Sequence, residues 1–150
     1  MEIREAKAEL KEYIDNKLYI ERKQEEMERL EEQIKKVTAT YSDMPKGGSG
    51  NSKEDLIVKK LDLEREVYGY LIRLMEKKII VETTIQGLEA RYRNILDFLY
   101  IGEPEKDDNR DKEKRRNTLV DYAAQEHLSY KQATRLLRDA HEAYAGARGT

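Results

Sequence analysis

Thr118–Tyr144, TLVDYAAQEHLSYKQATRLLRDAHEAY, reads as two short helices around a tight turn. Thr118 stands three residues before Asp121, the spacing at which a hydroxyl and a carboxylate satisfy each other's backbone N–H groups at a helix start. Ser129 and Gln132 repeat that spacing, so a second helix opens there. His127 falls between them and ends the first helix, because His tolerates a left-handed backbone better than most residues. Leu119, Tyr122 and Ala123 form the apolar side of the first helix. Ala133, Leu136, Leu137, Ala140 and Tyr144 recur at helical period on the second. Its other side carries Tyr130, Lys131, Thr134, Arg135 and Arg138, the side-chain types that read base edges and hold phosphates. With Ser129 and Gln132 at its start, this is the layout of a helix placed against DNA, and Lys131, Gln132 and Arg135 are the expected base readers. A plain helical hairpin with a solvated face is the alternative. As many acids (Asp121, Glu126, Asp139, Glu142) as cations (Lys131, Arg135, Arg138, Arg148) lie in Thr118–Thr150, so a single copy should bind DNA weakly.

Upstream, EPEKDDNRDKEKRRN after Gly102 holds no apolar residue and cannot contribute to a core. Acids come first, then Arg110, Lys112, Lys114, Arg115 and Arg116. The segment is either a solvated linker or a basic arm reaching DNA phosphates.

Further upstream the pattern changes to long helices. Glu2 to Thr38 contains neither Gly nor Pro, and Tyr13, Ile20, Met27, Ile34 and Tyr41 recur every seven residues. Ile3, Leu10, Ile14 and Leu18 make a second row. TYSDMPKGGSGNS then stops the helix, by turn chemistry at Ser42, Asp43 and Pro45 and by a glycine cluster. Ser52 with Asp55 restarts it. From Val67 a four-three repeat runs through Leu71, Leu74, Lys78, Val81, Ile85, Leu88, Tyr92, Ile95 and Leu99, and Val67, Leu71, Leu74, Val81, Ile85 and Leu88 are the expected coiled-coil core. Residues 2–38 and 52–88 would each span about 55 Å at 1.5 Å per residue, which suits an antiparallel hairpin. Leu61, Tyr68, Ile72, Met75 and Ile79 form an extra row that two helices cannot cover, so a homodimer is expected, the alternative being that the extra rows fold back on the C-terminal helices of the same chain. Gly87 marks a bend before a helix Arg91–Ile101.

The resulting expectation is an all-α chain: a long antiparallel coiled-coil hairpin over 1–88, with loop 39–51, for oligomerisation, then a helix-turn-helix DNA-binding domain over 89–150 with a polar insert at 102–117. Composition agrees. Charged residues make up 40% of the chain, against roughly a quarter in average domains, the profile of long solvent-facing helices. A net charge of -2 excludes a generally basic coat, so nucleic-acid contact has to come from a local patch. Without cysteine there are no disulfides, thiol catalysis or thiolate metal sites, which fits a reducing cytoplasm. The charged N-terminus MEIREAKAELKEY is not a signal peptide and no apolar run approaches membrane length, so a soluble cytoplasmic protein with no membrane partner is expected. His127 and His141 are expected on helix surfaces, and GGSG lacks the Lys-Ser or Lys-Thr of a phosphate loop. No catalytic residue, metal site or cofactor is expected, and the chain is read as a non-enzyme.

Three pieces in order carry a family resemblance: YSDMPKGGSG between two long helices, IQGLEARYRNILDFLYIG, and the helix-turn-helix from Thr118. Together they resemble the small phage transcription regulators of Firmicutes, the RinA and ArpU type of late-operon activators. Their C-terminal part is similar to region 4 of sigma factors, which here would be Arg91 to Ala145, with the helix from Tyr130 onward entering the major groove. The resemblance implies double-stranded promoter or operator DNA and host RNA polymerase as partners, in the cytoplasm of a bacterial host cell. The sequence departs from that pattern in the polar insert of about fifteen residues before Thr118, in Glu126 at a usually apolar position, and in His127 at the usual turn Gly. Two other readings stay open: a coiled-coil protein-protein interaction protein, and a terminase-like DNA-packaging subunit.

Overall fold

The computed structural model describes residues 1–40, 53–102 and 117–149. The SDMP loop, the Ser52 restart and the proposed basic arm Arg110, Lys112, Lys114, Arg115 and Arg116 lie outside the described residues. Every described element is helical and none is a strand: α1 (Ile3–Thr40), α2 (Lys53–Gln86), α3 (Ala90–Leu96), a π-helical turn (Asp97–Ile101), α4 (Leu119–Gln125) and α5 (Tyr130–Gly149). By contacts the chain divides into two compact units, Asn16–Met75 and Met1–Asp15 with Glu76–Thr150.

In the unit Asn16–Met75, α1 and α2 lie side by side in opposite directions. Tyr19 donates to the Glu66 carboxylate and its ring centroid is 4.5 Å from that of Tyr70, while Glu31 is 3.1 Å from Lys60 Nζ. Residue numbers therefore fall along α2 as they rise along α1. Ile20, Leu56 and Val67 are buried, and Leu71 and Leu74 half-buried, so the expected seam is the side of α2 that is covered. The adjacent row is not: Leu61, Tyr68, Ile72 and Met75 are exposed, Tyr68 to 66% and Met75 to 60%.

The other unit has the larger core. Ala6, Leu10, Tyr13 and Ile14 of α1 are buried there, as are Val81 and Ile85 of α2, Ile95 and Leu96 of α3, Leu99 and Tyr100 of the π-helical turn, and Ala133, Ala140, His141, Tyr144 and Ala145 of α5. For Leu10 and Ile14, the second row of α1 is thus covered within the same chain. α5 packs against both α3 and α4, and α4 also meets the π-helical turn. Tyr13 donates to Glu82 at 3.2 Å, and burial together with the Glu82 charge pushes its phenol up to about 12.

Two expectations need correction. The four-three repeat does not continue along one helix to Leu99, because α2 ends at Gln86, at the bend marked by Gly87: Gly87 N–H donates to Thr83 O at 3.2 Å, Leu88 N–H to Ile85 O at 3.1 Å, and Glu89 turns the backbone extended (φ -55, ψ 146). Tyr92, Ile95 and Leu99 keep the spacing on other elements. Arg91–Ile101 is likewise not one α-helix, since it widens from Asp97, and Gly102 N–H reaches five residues back to Asp97 O at 2.6 Å.

Candidate nucleic-acid interface

The α4–turn–α5 segment is built from local hydrogen bonds. Thr118 Oγ1 accepts from Asp121 N–H at 3.2 Å, and the Asp121 carboxylate accepts from Thr118 N–H at 3.1 Å, a reciprocal pair that satisfies two helix-start donors. Ser129 and Gln132 do the same for α5, at 3.1 Å and 2.9 Å. Between them His127 takes φ 56, while Leu128 N–H donates to Ala123 O at 2.8 Å and His127 N–H to Ala124 O at 3.4 Å. This is the Schellman ending of α4, with His in the left-handed position usually held by Gly. Glu126, read as a departure at an apolar position, is exposed and closes the last turn of α4. Tyr122 and Ala123 are buried and Leu119, Leu136 and Leu137 half-buried, so the expected apolar sides face inward. The Phe98 and Tyr122 rings stand 5.3 Å apart, and Asn117 Nδ2 donates to Phe98 O at 2.9 Å, which ties α4 to the π-helical turn.

The residues expected to read DNA separate by what already holds them. Ser129 and Gln132 are occupied as the α5 cap. Thr134 Oγ1 donates to Tyr130 O at 2.8 Å within the helix, and Arg138 Nε lies 3.8 Å from Asp139. Lys131 and Arg135 are exposed one turn apart on α5 and form no ion pair with any described residue. Tyr130, 62% exposed, stands at the start of the same helix. Those three side chains are available to a ligand without breaking a side-chain bond to another described residue.

Two groups behind this face were not legible in the sequence. His141, expected on a surface, is 3% exposed: its Nε2 is 3.0 Å from Tyr100 Oη, and its Nδ1 has no hydrogen-bond partner among the described residues. Burial, with Lys7 adding to it, lowers its pKa to about 4, so the imidazole is neutral at pH 7. Glu9 of α1 accepts from Tyr144 Oη at 2.7 Å and from Arg148 Nε at 2.9 Å. Desolvation pulls the Glu9 carboxyl up, but these hydrogen bonds and the Arg148 charge outweigh it, and its pKa lies below the ordinary value. Both features hold α5 in place from the side opposite its polar face.

A cleft of about 610 Å³ beside α4 is lined by Asp97, Asp121 and Glu126 together with Asn94, Asn117 and Gln125. Its carboxylates would repel a phosphate. No group of His, Asp and Glu among the described residues is placed to hold a metal, and no described helix is long and apolar enough to cross a membrane. Compared with known proteins, the chain matches no family profile, no curated protein and no solved structure.

Proposed function

We propose that the chain is a sequence-specific DNA-binding transcription regulator that lays the N-terminal turns of α5 against base edges in the major groove. The observation carrying this reading is the pair Lys131 and Arg135, exposed on successive turns of a helix that a capped, tight turn joins to α4. In this reading Arg135 in the second turn contacts a base and Arg138, a turn later, the phosphate backbone. Its setting is that of the phage late-gene activators it resembles: promoter binding with contact to host RNA polymerase, in the bacterial cytoplasm. The region 4-like assignment of Arg91–Ala145 belongs to the same proposal.

The test starts from a duplex recovered by selection from a random library and measures fluorescence anisotropy on that duplex and a scrambled one at fixed salt. Arg135→Ala should cost roughly 1 to 3 kcal/mol on the selected duplex and little on the scrambled one, while Arg138→Ala weakens both about equally. A wild-type protein that prefers no sequence over any other would exclude this function and leave the protein-protein interaction reading.

A further inference from the structure

The exposed apolar row of α2 has an internal order that points to its occupant. Val58, Leu61, Arg65, Tyr68, Ile72 and Met75 follow one another at alternating spacings of three and four, the pattern of a coiled-coil stripe. All are exposed in the single chain, and they lie roughly 120° around α2 from buried Val67, so α1 does not cover them. A parallel pairing with a second copy would set Arg65 against Arg65. Reversed about the point midway between Arg65 and Tyr68, the same stripe matches itself: Val58 meets Met75 of the second copy, Leu61 meets Ile72, and Arg65 meets Tyr68, a cation over an aromatic ring. Beside the stripe, Asp62 then lies next to Gly69, Glu64 next to Leu71 and Lys78 next to Ile57, while Asp55 and Glu76 bring two carboxylates near each other at the ends. Sliding the pairing by one heptad sets Arg65 against Met75 in one direction and against Leu61 in the other, so its guanidinium loses the aromatic ring. Gly69 has nothing within 4 Å of where a Cβ would stand, so the second helix can approach closely there.

We propose that Val58–Met75 is a self-association surface whose partner is a second copy of this chain, packed antiparallel in the register that opposes Leu61 to Ile72 and Arg65 to Tyr68. The proposal is independent of the DNA-binding reading, because its residues take no part in that site and its test contains no nucleic acid.

The chain has no cysteine, so engineered thiols report cleanly. The full-length double variant Leu61→Cys with Ile72→Cys should form a disulfide-linked dimer on mild oxidation. The two positions lie about 16 Å apart along one helix and cannot bond within a chain. Each single variant should stay unlinked, since neither residue meets its own copy. A second pair checks the register by charge. Met75→Glu should reduce the mass seen by light scattering from twice the chain mass to that of one chain, with helicity by circular dichroism unchanged because Met75 is exposed. Adding Val58→Lys in the same chain should restore the dimer, because each introduced carboxylate then meets an introduced ammonium on the other copy. A wild-type chain that stays monomeric at tens of micromolar overturns the proposal, and so does Ile72→Cys linking alone as readily as the double variant. Failure of Val58→Lys to rescue Met75→Glu overturns the register.

Discussion

Buried His141 makes stability depend on pH in a way that one substitution isolates. Its pKa is lowered from 6.5 to about 4 in the folded chain, first by burial and then by the Lys7 charge. A group whose folded pKa is depressed binds its proton less readily than in the unfolded chain. Its stabilising effect is therefore complete above 6.5 and is lost as the pH falls towards 4. Between pH 7 and pH 4 the loss is about 3 kcal/mol, a large part of the total stability of a domain. Carboxylates also gain protons as the pH falls, so a single acid unfolding curve would not identify the cause. His141→Phe keeps an aromatic ring of similar size and removes the titration, at the expense of the hydrogen bond to Tyr100. Urea unfolding of both proteins at several pH values gives the difference directly, because the shared carboxylates cancel. The wild type should lose about 3 kcal/mol more than the variant from pH 7 to pH 4. In parallel, the His141 ring proton should titrate near 4 by NMR. Parallel unfolding curves, or a titration midpoint at 6.5, would refute the argument that burial keeps this ring neutral.

Tyr144→Phe removes one hydrogen bond to the charged Glu9 and should cost about 1.5 to 3 kcal/mol by chemical denaturation; Arg148→Ala should also destabilise, and the double variant should show coupling because both partners hold the same carboxylate. His127→Gly should raise the unfolding free energy by about 1 kcal/mol, since Gly enters the left-handed region freely, whereas His127→Val should lower it. Ile85→Ala, at a fully buried position of α2, should lower it by about 2 to 4 kcal/mol through lost burial and the cavity left behind.

What could be read from the sequence was local. The caps at Thr118 and Ser129, the helix end at His127 and the inward faces of α4 and α5 depend on residues within one or two turns of each other, and spacing reports them. The seam through Val67, Val81 and Ile85 was legible for the same reason, because burial repeats along a helix. Spacing also misled. Tyr92, Ile95 and Leu99 kept the rhythm of α2 after the helix had ended, since a new helix packed on the same core needs apolar residues at the same period. Hidden altogether were the contacts between distant segments: Glu9 with Tyr144 and Arg148, separated by 135 and 139 positions, and Tyr100 with His141. The His141 ring looked like a surface residue because nothing within a turn of it shows that Tyr100 lies across the core. In the candidate interface, Gln132 had the right chemistry for a base reader, but the cap it makes with Ser129 uses that same amide.

The bond from Glu9 to Tyr144 and Arg148 also orders events in time. The unit that holds α5 is discontinuous, joining Met1–Asp15 to Glu76–Thr150, while Asn16–Met75 is one uninterrupted stretch. On a ribosome adding roughly 5 to 20 residues per second, the uninterrupted stretch can pair its helices while the rest is still being made. Glu9 has to wait for both of its partners until the chain beyond Arg148 has emerged. For those seconds the side of α1 that carries Glu9 is open to a chaperone or a neighbouring nascent chain.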